Sequence, residues 1–136
     1  MEPFILQQYN ASLLKEHVSR ILKNAGNTIS PENLSTLDEF HIGGRHATAR
    51  LMARLDLKPG QRALDLGSGL GGPARFAAQT YGITVTGIDL NPDYCDLATQ
   101  MSTATGLDGS TCFIQGNAIE PPFENGQFDV AWTIHT

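Results

Sequence analysis

The run Ala63-Leu64-Asp65-Leu66-Gly67-Ser68-Gly69-Leu70-Gly71-Gly72-Pro73 sets the frame for the whole chain. A short apolar segment ends in an acid, glycines follow at once, and Pro73 stands where a helix begins. This pattern predicts a strand, a tight turn and a helix N-terminus, an arrangement that presents backbone N–H groups to a ligand. Downstream, 72–81 is predicted as a helix with Phe76 and Ala77 on its packed side. The β-branched run 83–89 is a second strand. Asn91-Pro92-Asp93 caps a helix that runs towards Thr105 and stops at Gly106. A third strand is expected over 110–115. Pro121-Pro122-Phe123 and Asn125-Gly126 mark a loop, and 128–135 reads as a fourth strand. Upstream, 61–66 forms the first strand after the turn Lys58-Pro59-Gly60. Three helices are expected before it. Asn10 or Ser12 caps the first, which carries Leu13, Leu14, Val18, Ile21 and Leu22. Ser30-Pro31-Glu32 starts the second, with Leu34, Leu37 and Phe40 on one side. The third covers about 45–55, with Ala47, Leu51, Met52 and Leu55 inward.

Strands alternating with helices imply right-handed βαβ units and a parallel sheet. The expected fold is α/β, a Rossmann-like doubly wound sheet of order 3-2-1-4 with N-terminal helices. Residues 1–57 are expected to form a helical cap region and 58–136 the α/β core. Ligands in such sheets bind at the carboxyl ends of strands 1 and 4, where the strand order reverses. A fourth strand that ends the chain leaves an edge carrying Val130, Trp132 and Ile134. The expectation is pairing with a second copy, giving a homo-oligomer, or partial disorder of the last residues.

The bulk composition narrows the function classes. The chain has 136 residues, 40% hydrophobic and 17% charged, the profile of one globular domain. Its net charge of -5 weighs against nucleic acid or an anionic membrane surface as the main partner. The N-terminus has no basic region and an apolar run of only Phe4-Ile5-Leu6, so neither a signal peptide nor a membrane span is expected. Cys95 and Cys112 form no C-x-x-C and no zinc spacing. They are expected to be small buried hydrophobes in a reducing, cytoplasmic setting. His41 and His46 do not have the spacing of a helical metal-ligand pair, and no metal site is expected. His17 is expected on a helix surface, Tyr9 and Trp132 in packing roles.

Taken alone, Gly67-x-Gly69-x-x-Gly72 fits the dinucleotide fingerprint. Asp65 before the glycines and Gly71 completing G-x-G-x-G make the match narrower. With them, Asp65 to Gly72 resembles the first motif of the class I S-adenosylmethionine-dependent methyltransferases. Val85-Thr86-Gly87-Ile88-Asp89 resembles their second-strand ribose motif, and Gly116-Asn117-Ala118 their adenine motif. Pro122-Phe123 through Phe128-Asp129 resembles their approach to strand 4. Asp38-Glu39-Phe40-His41-Ile42-Gly43-Gly44 together with Gly71-Gly72-Pro73-Ala74-Arg75 resembles the type 11 small-molecule group, which includes sarcosine/dimethylglycine N-methyltransferases. The resemblance covers about residues 38–136.

The resemblance implies S-adenosylmethionine as cofactor and S-adenosylhomocysteine as product. Asp65 is then placed to hold the ammonium, directly or through water. Gly67, Ser68, Gly69, Gly71 and Gly72 let the backbone approach the ligand, and the next helix N-terminus faces its carboxylate. Asp89 accepts the ribose hydroxyl hydrogens. Leu90 and Ile119 are candidates to sandwich the adenine, with Asn117 and Ala118 at its edge. Asn117 departs from the acid usual in the family, but an amide can both accept and donate there. His41 and Gly44 fall near the methionine end, and His135 is the candidate catalytic residue. The implied function is methyl transfer by in-line displacement to a small-molecule acceptor. The implied fold has seven strands, of which four are expected here, so the chain is read as truncated after strand 4. Two rivals remain at this point: a nicotinamide-dependent oxidoreductase fragment, which Asp65 and Gly71 weigh against, and a non-catalytic nucleotide-binding or assembly module.

Overall fold

Local signals set the helix ends. Gly71 precedes the helix Gly72–Tyr81 in a left-handed conformation (φ 83°), and Gly82 closes it at φ 69° with its N–H on the Ala78 carbonyl. The helix Pro92–Ala104 is capped by Asn91, whose side chain accepts from the Asp93 N–H at 2.9 Å. The computed structural model describes residues 44–134 and the exposed helical residue Glu16. Its elements are α1 (Gly44–Arg54), β1 (Arg62–Leu66), α2 (Gly72–Tyr81), β2 (Thr84–Asp89), α3 (Pro92–Ala104), β3 (Thr111–Gln115) and β4 (Val130–Trp132). The two helices expected before residue 41 and the end of the chain at 135–136 lie outside the described residues, as do Tyr9 and His17.

The four strands pair in parallel in the order β3-β2-β1-β4, as the alternation predicts. One row across the sheet runs Val130, Ala63, Val85, Thr111, and the next Trp132, Asp65, Gly87, Phe113. Residues in register on adjacent strands face the same side. That side is the packed one: Ala63, Val85 and Trp132 form a core with Met52 of α1 and Ala74, Ala77 and Ala78 of α2. α3 joins the same side through the Thr111 hydroxyl, which donates to Ser102 Oγ at 2.8 Å. Chirality explains this placement. The crossovers β1-α2-β2 and β2-α3-β3 step in the same direction, so right-handedness puts both helices on one face. The β3–β4 connection steps back past β2 and β1 and therefore belongs to the other face. It contains no helix; Phe123 and Phe128 pin it edge to face at 5.0 Å.

Two expectations are corrected here. Cys95 is buried, but Cys112 is exposed. It alternates onto the sheet face that no described helix covers, on the outermost strand, in the row of exposed Ala131. β4 is also shorter than 128–135: it pairs only Val130–Trp132, opposite Ala63–Asp65, because β1 itself ends at the glycine turn. Ahead of it, Asp129 forms a clasp with Arg62. The Arg62 N–H donates to Asp129 Oδ2 at 2.8 Å, and the Asp129 N–H donates to the Arg62 carbonyl at 2.8 Å. The Arg62 backbone N–H, then its side chain, hold the Asp129 carboxyl below the usual range. Trp132 is in the core as expected, 5% exposed. Among the described residues no helix is long and apolar enough to cross a membrane.

The glycine turn lies directly on β2. A Cβ on Gly87 would stand 2.6 Å from Ser68 Cβ and 2.7 Å from Phe113 Cδ1. Gly87→Ala is expected to destabilise the fold by roughly 1–3 kcal/mol through overpacking. Urea unfolding would measure it, and an unchanged midpoint would contradict the close packing.

Candidate cofactor-binding site

The turn between β1 and α2 alternates in backbone handedness. Gly67 (φ 74°), Gly69 (φ 55°) and Gly71 (φ 83°) are left-handed, with Ser68 and Leu70 between them. Only glycine takes these angles without strain, and the alternation curls the chain into a concave nest. The turn hangs from β2: the N–H groups of Gly67 and Ser68 both donate to the Ile88 carbonyl, at 2.8 and 3.0 Å. It then leads into α2, whose first-turn N–H groups sit at the positive end of the helix dipole.

Asp89 borders the turn at the end of β2. Its Oδ2 accepts the Gly69 N–H at 2.9 Å and its Oδ1 the Asn91 N–H at 3.0 Å. Both oxygens are thereby oriented, and each keeps a lone pair for a further donor. Asp65 lies deeper, only 2% exposed, and its Oδ2 has no hydrogen-bond partner. Burial pushes its carboxyl up to about 7. The nearby Trp132 indole N–H opposes that rise, and the Asp89 charge adds to it. The indole stops short of full hydrogen-bond geometry, so Trp132 Nε1 is also without a partner.

The 116–119 turn closes the far side. The Gly116 N–H donates to the Asp89 carbonyl at 2.9 Å. Asn117 is exposed and its Oδ1 accepts the Ile119 N–H at 2.9 Å, forming a local Asx turn. Ala118 is half-buried beside it. Leu90, 70% exposed, and Ile119, 88% exposed, are the large exposed hydrophobics among the described residues. In sequence, Leu90 follows Asp89 and Ile119 follows Ala118. Gly44 is the first residue of α1. His41 and His135 lie outside the described residues.

The structure adds Arg75, which motif matching alone left without a role. It is completely buried. Its guanidinium donates to the Leu70 carbonyl at 2.6 Å, to the Ala98 carbonyl at 3.1 Å and to Ser102 Oγ at 3.4 Å. It thus ties the turn to α3. The available sequence signal is an arginine embedded in the apolar helix segment Ala74-Arg75-Phe76-Ala77-Ala78.

The groups present suit an amino-acid-bearing nucleoside. A buried carboxylate lacking a partner fits an ammonium, a nest and helix N-terminus fit a carboxylate, and an acid at the end of β2 fits a ribose diol. Residues 63–136 match the methyltransferase domain family. The chain belongs to that family, the class I S-adenosylmethionine-dependent methyltransferases. Among solved structures, it is 30% identical to an S-adenosylmethionine-dependent methyltransferase from Thiobacillus denitrificans in complex with S-adenosyl-L-homocysteine, with TM-score 0.62 over 88% of this chain and 43% of that one. It is 37% identical to the 2-methyl-6-phytyl-1,4-hydroquinone methyltransferase of Synechocystis over 65% of this chain and 27% of that protein. It is 34% identical to the glycine/sarcosine/dimethylglycine N-methyltransferase of Actinopolyspora halophila over 71% of this chain and 17% of that protein. The chain spans about a third of the length of the first curated relatives it matches. Membership of this family sets the nicotinamide alternative aside.

Asp65 makes stability depend on pH in a defined direction. Folded, it keeps its proton up to about 7; its ordinary value is 3.8. The folded state therefore binds the extra proton between these values, and stability falls as pH rises through them. Asp65→Asn is expected to remove this slope. Urea unfolding at pH 5 and pH 8 should show the wild type losing more stability than the variant, and equal losses would contradict the burial argument.

Proposed function

We propose that this chain holds the cofactor site of a methyltransferase that acts on a small-molecule acceptor. The observation that carries this reading is two carboxylates flanking one glycine turn, Asp89 oriented by backbone N–H groups and Asp65 buried without a partner. S-adenosylmethionine supplies an electrophilic methyl on a sulfonium, so the protein's task is mainly alignment. In this reading Asp65 holds the ammonium and Asp89 the ribose hydroxyls. Leu90 and Ile119 cover the adenine faces, and Asn117 and Ala118 its edge. Gly67, Ser68, Gly69, Gly71 and Gly72 line the approach. His41 and Gly44 serve the methionine end, and His135 accepts the proton that an amine acceptor sheds.

Residues 1–57 act as a helical cap and 58–136 as the cofactor-binding core. The similarity to a sarcosine-acting enzyme and to a hydroquinone-acting enzyme supports a metabolite acceptor. The protein works in the cytoplasm. In this reading the chain forms a homo-oligomer, and light scattering should return a mass above that of one chain; a monomer at working concentration would exclude it.

Calorimetry at pH 8 is expected to show one S-adenosylhomocysteine site and no heat with NAD. Asp89→Ala should weaken that site by at least about tenfold, the loss of a charge-assisted pair of hydrogen bonds. A folded chain that takes up no S-adenosylhomocysteine would overturn the proposal.

A further inference from the structure

Asp65 Oδ2, Trp132 Nε1 and Ser68 Oγ are among the buried side-chain atoms that have no hydrogen-bond partner. They are neighbours by construction of the sheet. Asp65 and Trp132 are in register on β1 and β4, so they project side by side from one face. Gly87 is in register with Asp65 on the other flank, and Ser68 Oγ lies 2.6 Å from where a Cβ of Gly87 would be. An indole N–H only donates and an ionised carboxylate only accepts. Buried side by side, the two would pair if Asp65 were charged. A neutral carboxyl is a weaker acceptor than a carboxylate and tolerates burial better.

We propose that Trp132 is a positioning residue for Asp65, its indole N–H closing on the carboxylate when a cationic amine reaches the turn, so that capture of the amine is coupled to release of the Asp65 proton. In this step the carboxyl O–H bond breaks and its proton passes to bulk water. The ammonium takes its place beside the carboxylate, and the net charge of the pocket stays the same. The coupling rests on the assignment of Asp65 to the cofactor's ammonium; the Asp65–Trp132 contact does not.

The surroundings leave this pair to set the equilibrium. Asp89, from the end of β2, disfavours the second negative charge, as does burial itself. Arg75 of α2 is engaged by the Leu70 and Ala98 carbonyls. His46, Arg50 and Arg54 of α1 are exposed, and Val130–Trp132 carries no ionisable group. Of the groups that act on the Asp65 carboxyl, the indole is the one that favours the ionised form.

The chain has a single tryptophan, so its indole N–H resonance identifies itself in a 15N correlation spectrum. Without ligand, that resonance is expected to titrate with a midpoint near 7, and Asp65→Asn is expected to abolish the titration. A resonance that stays fixed from pH 5 to 9, or moves equally in Asp65→Asn, overturns the proposal whatever the cofactor. With S-adenosylhomocysteine, wild-type affinity should rise about tenfold or more from pH 5.5 to 7.5, as one-proton linkage requires. Trp132→Phe keeps the ring and removes the donor. It should bind several-fold more weakly at pH 7 and recover towards wild type at pH 8.5, a rescue that a purely structural defect would not give. A Trp132→Phe profile that superimposes on wild type, or a deficit equal at both pH values, also overturns it.

Discussion

The carbonyl oxygen of Ile88 accepts two N–H groups from the glycine turn, Gly67 at 2.8 Å and Ser68 at 3.0 Å, and the rest of the site follows from that anchorage. It draws the end of β1 down onto the end of β2. The next residue after Ile88 is Asp89, and its carboxylate meets Gly69 from the same turn. The close approach leaves no room for a side chain at Gly87, where Ser68 and Phe113 already fill the space. It also brings the Gly71 Cα so near Phe113 that a Cβ there would stand 2.5 Å from the ring. Glycine is thus required at two positions for different reasons: contact at Gly87, contact plus a left-handed φ at Gly71.

Arg75 extends the anchorage sideways. A buried guanidinium is a costly group to desolvate, and it is retained only when its planar donors are matched. Here its two terminal nitrogens meet carbonyl oxygens of the turn and of α3 together with the Ser102 hydroxyl, which itself accepts from Thr111 of β3. The turn, α3 and the outermost strand are thereby held in one polar network beneath an otherwise apolar layer. Loosening any member would shift the turn against Asp89.

The sheet is asymmetric among the described residues. α1, α2 and α3 lie on the face that carries Asp65 and Trp132, which is why that carboxyl is dry. The opposite face carries exposed Cys112 and Ala131 and is crossed by the β3–β4 connection rather than by a helix. The right-handed crossover therefore decides on which face Asp65 is desolvated.

By itself the sequence determined the elements and their order. Glycine and proline punctuation, the Asn91 cap and the β-branched run before Asp89 depend on residues a few positions apart, and right-handed crossovers convert their alternation into 3-2-1-4. The candidate residues around the turn were legible for the same reason, since Asp65, Asp89 and the glycines lie at predicted strand ends. Tertiary structure alone decided the dryness of Asp65, its placement beside Trp132, the target of Arg75, the exposure of Cys112 and the shortness of β4. Each depends on which residues stand opposite one another across the sheet. A slip of one residue between β1 and β4 would turn Trp132 to the other face, away from Asp65. Such register is a property of strands far apart in the chain, and no window of local sequence contains it.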